Sequence, residues 1–433
     1  MKIDIFWFRR DLRLEDNTAL DKALASGLPV LPVFIFDTNI TDELPQDDAR
    51  ISFIHEKLSD INNNLQKTGS SLYILKGDPE EKWKELIALF DINAVYINKD
   101  YEPYAIKRDR VVGELLEKNR ISLLRFKDQV IFEECEVLKP DGKPYTIFTP
   151  YKNRWLKKLG ENLTHISSGK TEKYSNFFQC SYSFPSIQET GFRKSSIRVK
   201  LYDLSVIPDY HKYRNLPAID KTSYLSPHLR FGTISIRYLV DLALKQNMSF
   251  LNELIWREFF MQILFHFPGV VTDNFKPVYD DIPWRNDEIE FRKWCRGETG
   301  YPIVDAGMRQ LNKTGYMHNR VRMITAGFLC KHLLIDWRWG EAYFAQKLLD
   351  YELSSNNGNW QWASGTGCDA APYFRVFNPE TQQKKFDPKE EYIKRWVNNF
   401  GKTDYPEKIV DHDYARQRAL TVYKSGIKRK MND

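Results

Sequence analysis

Residues 3–36 read IDIFWFRRDLRLEDNTALDKALASGLPVLPVFIF. Two short β-rich runs, Ile3 to Phe8 and Val30 to Phe36, flank a stretch with helical spacing, Asp16 to Ala25. A strand, a helix and a second strand in this order are typical of one step of a parallel sheet. This stretch therefore favours an α/β fold for the beginning of the chain.

The same alternation continues to about residue 132 and predicts a doubly wound, five-stranded parallel sheet. The other predicted strands are Ser71 to Leu75, Ala94 to Asn98 and Leu123 to Phe132, and the other helices include Ala49 to Lys67 and Tyr104 to Lys118. Ligands of such sheets bind beyond the carboxyl ends of the strands, where this chain has residues 9–13 and 99–104. It has no Gly-x-Gly-x-x-Gly or phosphate-binding loop, which argues against a dinucleotide site of the usual kind.

Two further segments follow in the predicted organisation. From 133 to 200 the sequence becomes rich in Pro, Gly, Ser and Lys, as at Lys139-Pro140-Asp141-Gly142 and Ser167-Ser168-Gly169-Lys170, and it predicts a long surface connector. From 201 to 433 helical patterns follow one another without strand signals, so we predict an all-α second domain.

Composition limits the function. The net charge is only +6, so a nucleic-acid surface would need local clusters of basic residues. Eleven tryptophans suit a protein that binds a large planar ligand, although large cores use them as well. The five cysteines are scattered singly, which predicts a reducing compartment and no metal site. Without a signal peptide or a run of ~18 apolar residues, we expect a soluble cytoplasmic protein.

Two clusters in the helical half have the composition of a binding site. The segment from Asp350 to Arg375 combines acidic residues, amides and glycines with Trp360 and Trp362. These two indoles would point in nearly opposite directions on a helix, one inward and the other into a cleft. Farther upstream, the i, i+3, i+4 spacing places Glu253, Trp256 and Arg257 on one helix face. A surface Glu-Arg pair beside a core tryptophan would explain that spacing equally well.

A third cluster, Gly315 to Thr325, places Asn319, Arg322 and Met323 on one side of a helix, with Arg320 pointing elsewhere. An arginine among apolar residues needs an anionic partner if it is buried, and Asp350 or a reduced anionic cofactor would supply it.

A weaker signal lies at the start of the helical half. Ser226-Pro227 predicts a helix start with a hydroxyl cap. Together with Thr222 to Leu225 it brings hydroxyl and N–H groups to a positive helix end, which suits a phosphate or pyrophosphate. An ordinary N-cap explains the pattern equally well.

Taken together, these motifs resemble the DNA photolyase and cryptochrome family along nearly the whole chain, most closely the class I cyclobutane pyrimidine dimer photolyases. The similarity is carried, in the family's order, by residues 6–14, 252–259, 299–306, 317–325, 356–362 and 369–375. It implies an N-terminal antenna domain at 1–132 and, after the connector at 133–200, a helical domain at 201–433 that binds FAD in a folded shape.

The resemblance also implies which residues contact FAD. They are Tyr210, Thr222, Ser223, Tyr224, Leu225, Ser226, Phe250, Arg257, Asn319, Arg322, Asp350, Tyr351, Glu352 and Asn356. The chain departs from the family's pattern at Phe250 and Tyr316, where Trp is expected, and at Glu352, where Asp is usual. The first two keep an aromatic wall, whereas Glu352 carries its carboxylate one methylene farther out.

The implied reaction splits cyclobutane pyrimidine dimers in DNA by an electron from photoexcited, fully reduced FAD, and the dimer must leave the base stack to reach it. Trp256 and Trp362 would stack on the flipped-out dimer. Glu253 would hydrogen-bond to it and, when protonated, stabilise its radical anion. Asn319 and Met323 would form the floor of the pocket, and Asn356 would lie beside the flavin N5.

Two further sets of residues follow from the resemblance. Trp284, Trp337 and Trp360 resemble the family's chain of tryptophans between flavin and surface, which serves photoreduction. DNA would be held by Arg214 and Arg320, with Lys384 and Lys385 nearby. We expect a monomer that acts on DNA containing pyrimidine dimers, without a membrane or a metal.

Individual residues discriminate between subfamilies. In (6-4) photolyases a pair of histidines takes the positions of Asn319 and Met323, and plant cryptochromes place Asp at the position of Asn356. This chain has none of these replacements, which favours dimer repair. Two alternatives are a cryptochrome-type blue-light receptor without repair activity and a light-independent structural or DNA-binding protein that kept the fold.

The antenna chromophore is left open between a deazaflavin and a folate. Asp100-Tyr-Glu102-Pro-Tyr resembles the deazaflavin-binding members, with Arg50 as a partner, and the side chains used by folate-binding members are not found. An empty antenna pocket is the third alternative.

Overall fold

The strands of the computed structural model, which describes residues 1–166 and 174–432, form one parallel sheet in the order β3-β2-β1-β4-β5. The strands are β1 (Ile3–Phe8), β2 (Val30–Asp37), β3 (Tyr73–Gly77), β4 (Ile92–Asn98) and β5 (Ser122–Phe126). This order confirms the predicted doubly wound α/β fold of the N-terminal part. The segment Ser167 to Lys170, predicted as part of the connector, lies outside the described residues.

The first five helices are interspersed with the strands, and from α6 onward the regular elements are helical. In chain order they are α1 (Thr18–Leu24), α2 (Thr38–Thr41), α3 (Ala49–Gln66), α4 (Pro79–Leu89), α5 (Pro103–Lys118), α6 (Phe148–Glu161), α7 (Tyr210–Tyr213), α8 (Leu225–Arg230), α9 (Ile236–Gln246), α10 (Met248–His266), α11 (Glu288–Arg296), α12 (Pro302–Thr314), α13 (Asn319–Gly327), α14 (Trp337–Lys347), α15 (Leu353–Ser364), α16 (Pro379–Phe386), α17 (Glu391–Trp396) and α18 (His412–Asn432). Helix α13 continues into a π-helical turn, Phe328–His332, and short 3-10 turns are Leu163–Ile166, Tyr174–Asn176, Leu204–Val206, Pro268–Val271 and Pro277–Tyr279.

These elements fall into two units that interleave along the chain. The first contains the segments Met1–Val137, Trp155–Tyr202 and Tyr224–Lys245, and the second contains Leu138–Arg154, Asp203–Ser223 and Gln246–Asp433. No helix among the described residues is both long enough and apolar enough to cross a lipid bilayer.

Strand β1 shows why the beginning of the sequence is apolar at nearly every position. Phe6 and Phe8 belong to the apolar layer on one face of the sheet, and Ile5 and Trp7 belong to the layer on the other. Both faces of the strand are therefore covered, as is typical of parallel sheets. The buried Asp4 is an exception, and its Oδ1 accepts a hydrogen bond from the Asn93 side chain at 3.0 Å.

The carboxyl ends of β1 and β4 meet at the point where the strand order reverses. Asn98 donates to Asp11 Oδ2 at 2.6 Å, and Arg10 forms an ion pair with Asp100 at 3.1 Å. Strand β5 ends at Phe126, earlier than the predicted Phe132. The chain leaves the sheet there because the Asp128 carboxylate, two residues on, pairs with Arg13 at 2.7 Å and accepts the Thr18 N–H.

The connector prediction missed helix α6. Phe148, Tyr151, Trp155 and Leu159 are all buried and are spaced as one apolar face of a helix. Lysines and an arginine lie between these positions, on the other faces of the helix. Because of them, the average composition of the segment resembles that of a surface loop.

The second unit has one main apolar core. It is formed by helices α11 to α15 together with α17, and Trp294, Val304, Val321, Trp337 and Trp360 are among its buried members. The helix starts are well defined, because Asp287 and Asp336 accept N–H groups at the first turns of α11 and α14. This packing fixes helices α13, α14 and α15, which carry the predicted site residues Asn319, Arg320, Arg322, Met323, Trp337, Asn356, Trp360 and Trp362.

Candidate functional site

A cleft with about 600 Å³ of empty space, part of it open to solvent, lies in the second unit among α13, α14 and α15. The predicted site residues that line it are Asn319, Arg322, Met323, Asp350, Tyr351, Glu352, Asn356, Trp360 and Trp362. The remaining wall includes the apolar side chains of Ala326, Phe344, Leu348 and Ala363.

Arg322 pairs with Asp350, one of the two anionic partners considered from the sequence. Its Nη2 donates to Asp350 Oδ2 at 2.9 Å, and its Nε donates to the carbonyl oxygen of Met317 at 2.8 Å. The other carboxylate oxygen, Asp350 Oδ1, is buried and accepts no hydrogen bond from the described residues. Leaving a buried acceptor unpaired costs about 1–3 kcal/mol. This oxygen therefore suits a ligand that brings an N–H or O–H donor into the cleft.

Glu352 is buried at the edge of the cleft and holds two other side chains. Its Oε1 accepts from Arg257 Nη2 at 3.3 Å, and its Oε2 accepts from Ser355 Oγ at 3.1 Å. Arg257 comes from α10, so this ion pair joins that helix to the start of α15. Sequence reasoning did not foresee the pair, because it joins two residues that are far apart in the chain.

Asn356 is oriented by Glu341, a residue that sequence reasoning did not single out. Asn356 Nδ2 donates to Glu341 Oε1 at 2.8 Å and to the Glu341 carbonyl oxygen at 3.1 Å. Burial raises the pKa of Glu341, and the hydrogen bond from Asn356 offsets this only in part. Because the amide donates to Glu341, its carbonyl oxygen is the group left for a ligand in the cleft.

Glu253 pairs with Arg214 in the same unit. The distance between Glu253 Oε1 and Arg214 Nη1 is 2.9 Å, and each side chain is about one-third exposed. Burial raises the pKa of Glu253, while the Arg214 charge and hydrogen bond lower it by less. The carboxyl group is thus easier to protonate than an ordinary glutamate. Arg214 also lies over the Tyr210 ring at 5.1 Å.

The two predicted lesion-stacking tryptophans are both partly exposed. Trp362 lines the cleft. Trp256 lies on α10, where the Phe148 ring is stacked on it with a centroid separation of 3.7 Å and an interplanar angle of 7°. Phe148 is the second residue that sequence reasoning missed, because α6 itself was not predicted.

The three predicted electron-transfer tryptophans share one apolar cluster. Trp360 and Trp337 are buried members of it, and Trp284 packs against it while partly exposed. Of the two indoles of α15, Trp360 is the buried one, and it also reaches the cleft that Trp362 lines. The Trp337 Nε1 donates to Asn274 Oδ1 at 2.9 Å, which fixes the middle indole.

Phe250 and Tyr316, which the resemblance implied for an aromatic wall, are not among the described residues that line the cleft. Phe250 is buried and meets the Tyr210 ring edge-on at 5.3 Å, and Tyr316 is buried as well.

Within the predicted phosphate segment, Ser223 lies in the second unit and its carbonyl oxygen accepts the Asp203 N–H at 2.9 Å. Thr222 precedes it and is exposed.

The structure corrects the predicted helix start in the first unit. Helix α8 begins at Leu225, and Tyr224, with φ +53°, occupies the N-cap position without a capping hydrogen bond from its side chain. Ser226 is therefore already inside the first turn and does not cap the helix. The positive φ of Tyr224 directs the chain into the helix two residues earlier than the Ser-Pro pattern indicated. Its hydroxyl oxygen accepts from Lys200 Nζ at 2.7 Å.

The predicted DNA-binding residues occupy partly or fully exposed positions. Arg320 Nη2 donates to Asn215 Oδ1 at 2.6 Å, and its guanidinium lies 4.4 Å from the centroid of the Phe386 ring. Burial lowers the pKa of Arg320, and the positive charge of Arg214 lowers it further. Lys384 and Lys385 are exposed in the last turn of α16.

The predicted antenna residues of the first unit form ion pairs within that unit. Asp100 and Glu102 pair with Arg10 at 3.1 and 3.0 Å, and Arg230 also pairs with Glu102. Burial alone would raise the pKa of Asp100, but the surrounding arginines lower it overall. Arg50 pairs with Asp48 at 2.6 Å at the start of α3.

Two family models match the chain in succession. Residues 4–167 match the model described as DNA photolyase, and residues 250–403 match the model described as the FAD binding domain of DNA photolyase. The chain belongs to the DNA photolyase family. The predictions of a photolyase and of FAD as its cofactor are thereby confirmed.

Individual members of the family match over nearly the whole chain. The deoxyribodipyrimidine photo-lyase of Agrobacterium fabrum is 36% identical over 97% of each chain. A bacterial class III photolyase from Agrobacterium tumefaciens has a TM-score of 0.88 and 34% identity, covering 99% of this chain and 98% of its own. An archaeal photolyase from Sulfolobus tokodaii with two FAD molecules has a TM-score of 0.86 and 35% identity, covering 98% of this chain and 100% of its own. These structures confirm the predicted combination of a parallel sheet and a helical part.

Proposed function

We propose that this photolyase repairs cyclobutane pyrimidine dimers in DNA by light-driven electron transfer to a dimer flipped out of the duplex. The observation that carries the proposal is the cleft in which Asn319, Met323 and Asn356 lie together with Trp362. An amide and a thioether provide a polar and an apolar contact but no acid, so this lining favours a reaction without proton donation from position 319 or 323. The class within the family stays a prediction.

The residues of the cleft fit FAD. Asp350 Oδ1 needs a donor, Arg322 supplies a positive charge beside it, and the Asn356 carbonyl oxygen accepts a further hydrogen bond. We expect these three residues to hold the cofactor. FAD, when bound and fully reduced, supplies the electron on illumination.

The neighbouring residues would prepare the substrate. Glu253, with its raised pKa, donates a hydrogen bond in its protonated form to a pyrimidine carbonyl, where negative charge develops. Trp256 and Trp362 offer partly exposed indole faces to the extruded bases. Base contacts of this kind exclude water and fix the lesion in one orientation.

The direct test uses the reduced protein with its FAD and an oligonucleotide that contains one cyclobutane thymine dimer. We expect illumination, and not darkness, to restore two thymines, measured by chromatography of the digested oligonucleotide. The matched control is the same oligonucleotide with a (6-4) product, which should stay unchanged. Restoration of the (6-4) product, or no restoration of the dimer in light, would contradict the proposal.

A further inference from the structure

We propose that Phe148 is a positioning residue, which holds the indole of Trp256 in the orientation that receives an extruded pyrimidine. The inference rests on the proposed repair function and extends it to a residue outside the predicted site. Phe148 is the first residue of α6 and belongs, like Trp256, to the second unit.

The geometry of the aromatic group leaves Trp256 little freedom. Phe148 stacks on one face of the indole at 3.7 Å and 7°, and Phe259 meets it edge-on at 5.5 Å. Phe260 lies at 5.4 Å with an angle of 31°. All three phenylalanines are buried, whereas Trp256 is partly exposed. A planar ligand therefore has to approach the part of the indole that Phe148 does not cover.

Phe148 is itself held from two directions. Its backbone N–H donates to Asp369 Oδ2 at 3.1 Å, and Asp369 lies in the loop after α15, the helix that carries Trp362. One turn farther along α6, the Tyr151 hydroxyl donates to Glu258 Oε1 at 3.2 Å on α10, the helix that carries Trp256. The start of α6 is thus fixed to the supports of both indoles, so the Phe148 ring has a defined position.

This arrangement favours binding of the lesion because the indole is ordered beforehand. An aromatic side chain that must be immobilised on binding lowers the affinity, and a preformed stack avoids that loss. Aromatic pairs contribute an interaction that corresponds to about a two- to tenfold change in an equilibrium constant. The contribution concerns the flipped-out bases and does not involve contacts with the DNA backbone.

The test compares Phe148→Leu, which keeps an apolar side chain but removes the planar ring, with Phe148→Tyr, which keeps the ring. Dark binding is measured with the FAD-loaded protein and two oligonucleotides, one with a single thymine dimer and one undamaged. We expect Phe148→Leu to weaken dimer binding about two- to tenfold, to leave binding of undamaged DNA and flavin absorbance unchanged, and to raise KM more than it lowers kcat. Phe148→Tyr should retain wild-type affinity.

A matched control is Phe291→Leu, which removes another phenylalanine stacked on a tryptophan, Trp294, at 5.9 Å and 19°. It should not change the affinity for the dimer. In a Trp256→Ala background, Phe148→Leu should have no further effect, because its effect acts through that indole.

Four results would overturn the inference. They are unchanged dimer binding by Phe148→Leu, an equal loss of binding for damaged and undamaged DNA, a loss of flavin, and a full effect of Phe148→Leu in the absence of Trp256. Failure of the repair function itself is recognised separately, because the wild-type protein would then neither prefer nor repair the dimer.

Discussion

The proposed role of Glu253 depends on two opposing effects of its surroundings on its pKa. Burial raises its pKa, and Arg214 at 2.9 Å lowers it only in part. Only the protonated carboxyl group can donate a hydrogen bond. The group is protonated below its pKa, so the proposed interaction is fully present at low pH and is lost as the pH rises through the raised pKa.

We therefore predict that the repair yield per absorbed photon of the wild-type protein falls as the pH rises, with a midpoint above the pKa of an ordinary glutamate. Glu253→Gln keeps an N–H donor that does not titrate, so its yield should not fall over that pH range. Glu253→Ala should have a low yield at every pH with unchanged flavin content. The measurement is the quantum yield at saturating dimer-containing DNA and constant salt.

Arg214 provides an internal control for this assignment. Its charge lowers the pKa of Glu253, so Arg214→Gln should move the midpoint of the wild-type profile to higher pH. If Glu253→Gln followed the same pH profile as the wild type, another group would be responsible. Loss of flavin from Glu253→Ala would assign Glu253 to the cofactor and not to the lesion.

At the scale of elements, the contact between α14 and α15 depends on a glycine. A Cβ atom at Gly340 would lie 2.1 Å from Cη2 of Trp360 and 2.6 Å from Cδ2 of Leu329. Both neighbours are buried members of the core, so neither can move away without repacking. The glycine thus lets α14 lie directly on the indole that reaches the cleft.

We predict that Gly340→Ala destabilises the protein by about 1–3 kcal/mol, because overpacking outweighs the better helix propensity of alanine. Gly160→Ala in α6 is the matched control, since no atom lies within 4 Å of its Cβ position. That control should be neutral or stabilising by up to ~1 kcal/mol. Denaturant unfolding of the FAD-loaded proteins measures both, and equal stabilities of the two variants would contradict the account.

The elements also show what the sequence can predict. The strands β1 and β2 were recognised because burial on both faces makes them apolar at nearly every position. An arginine among apolar residues needs an anionic partner, and Asp350 was one of the two considered for it. Helix α6 was missed because the charged residues on its other faces lower the average hydrophobicity of the segment. Glu341 and Phe148 act through contacts with Asn356 and Trp256 that are distant in the chain, and no local pattern encodes such contacts.

At the scale of the whole molecule, a net charge of +6 on 433 residues is too small to direct DNA binding by itself. Binding to the phosphate backbone must then come from local groups of basic residues, independently of the base contacts that recognise a lesion. Lys384 and Lys385 are exposed at the end of α16, and Arg320 lies against the buried Phe386 ring of the same helix. Together with Arg214, these three residues form the group that we expect to contact phosphates.

The salt dependence of binding separates these two contributions. Each phosphate contact contributes about 0.9 to the slope of log K against log salt concentration, so replacing Lys384 and Lys385 together by Ala should reduce the slope by at most about 1.8. The loss should be equal for dimer-containing and undamaged duplexes. Lys84→Ala is the matched control, because Lys84 is exposed in the first unit and already pairs with Glu80 and Glu81. An unchanged slope in the double variant, or a loss restricted to the damaged duplex, would remove these lysines from the phosphate contacts.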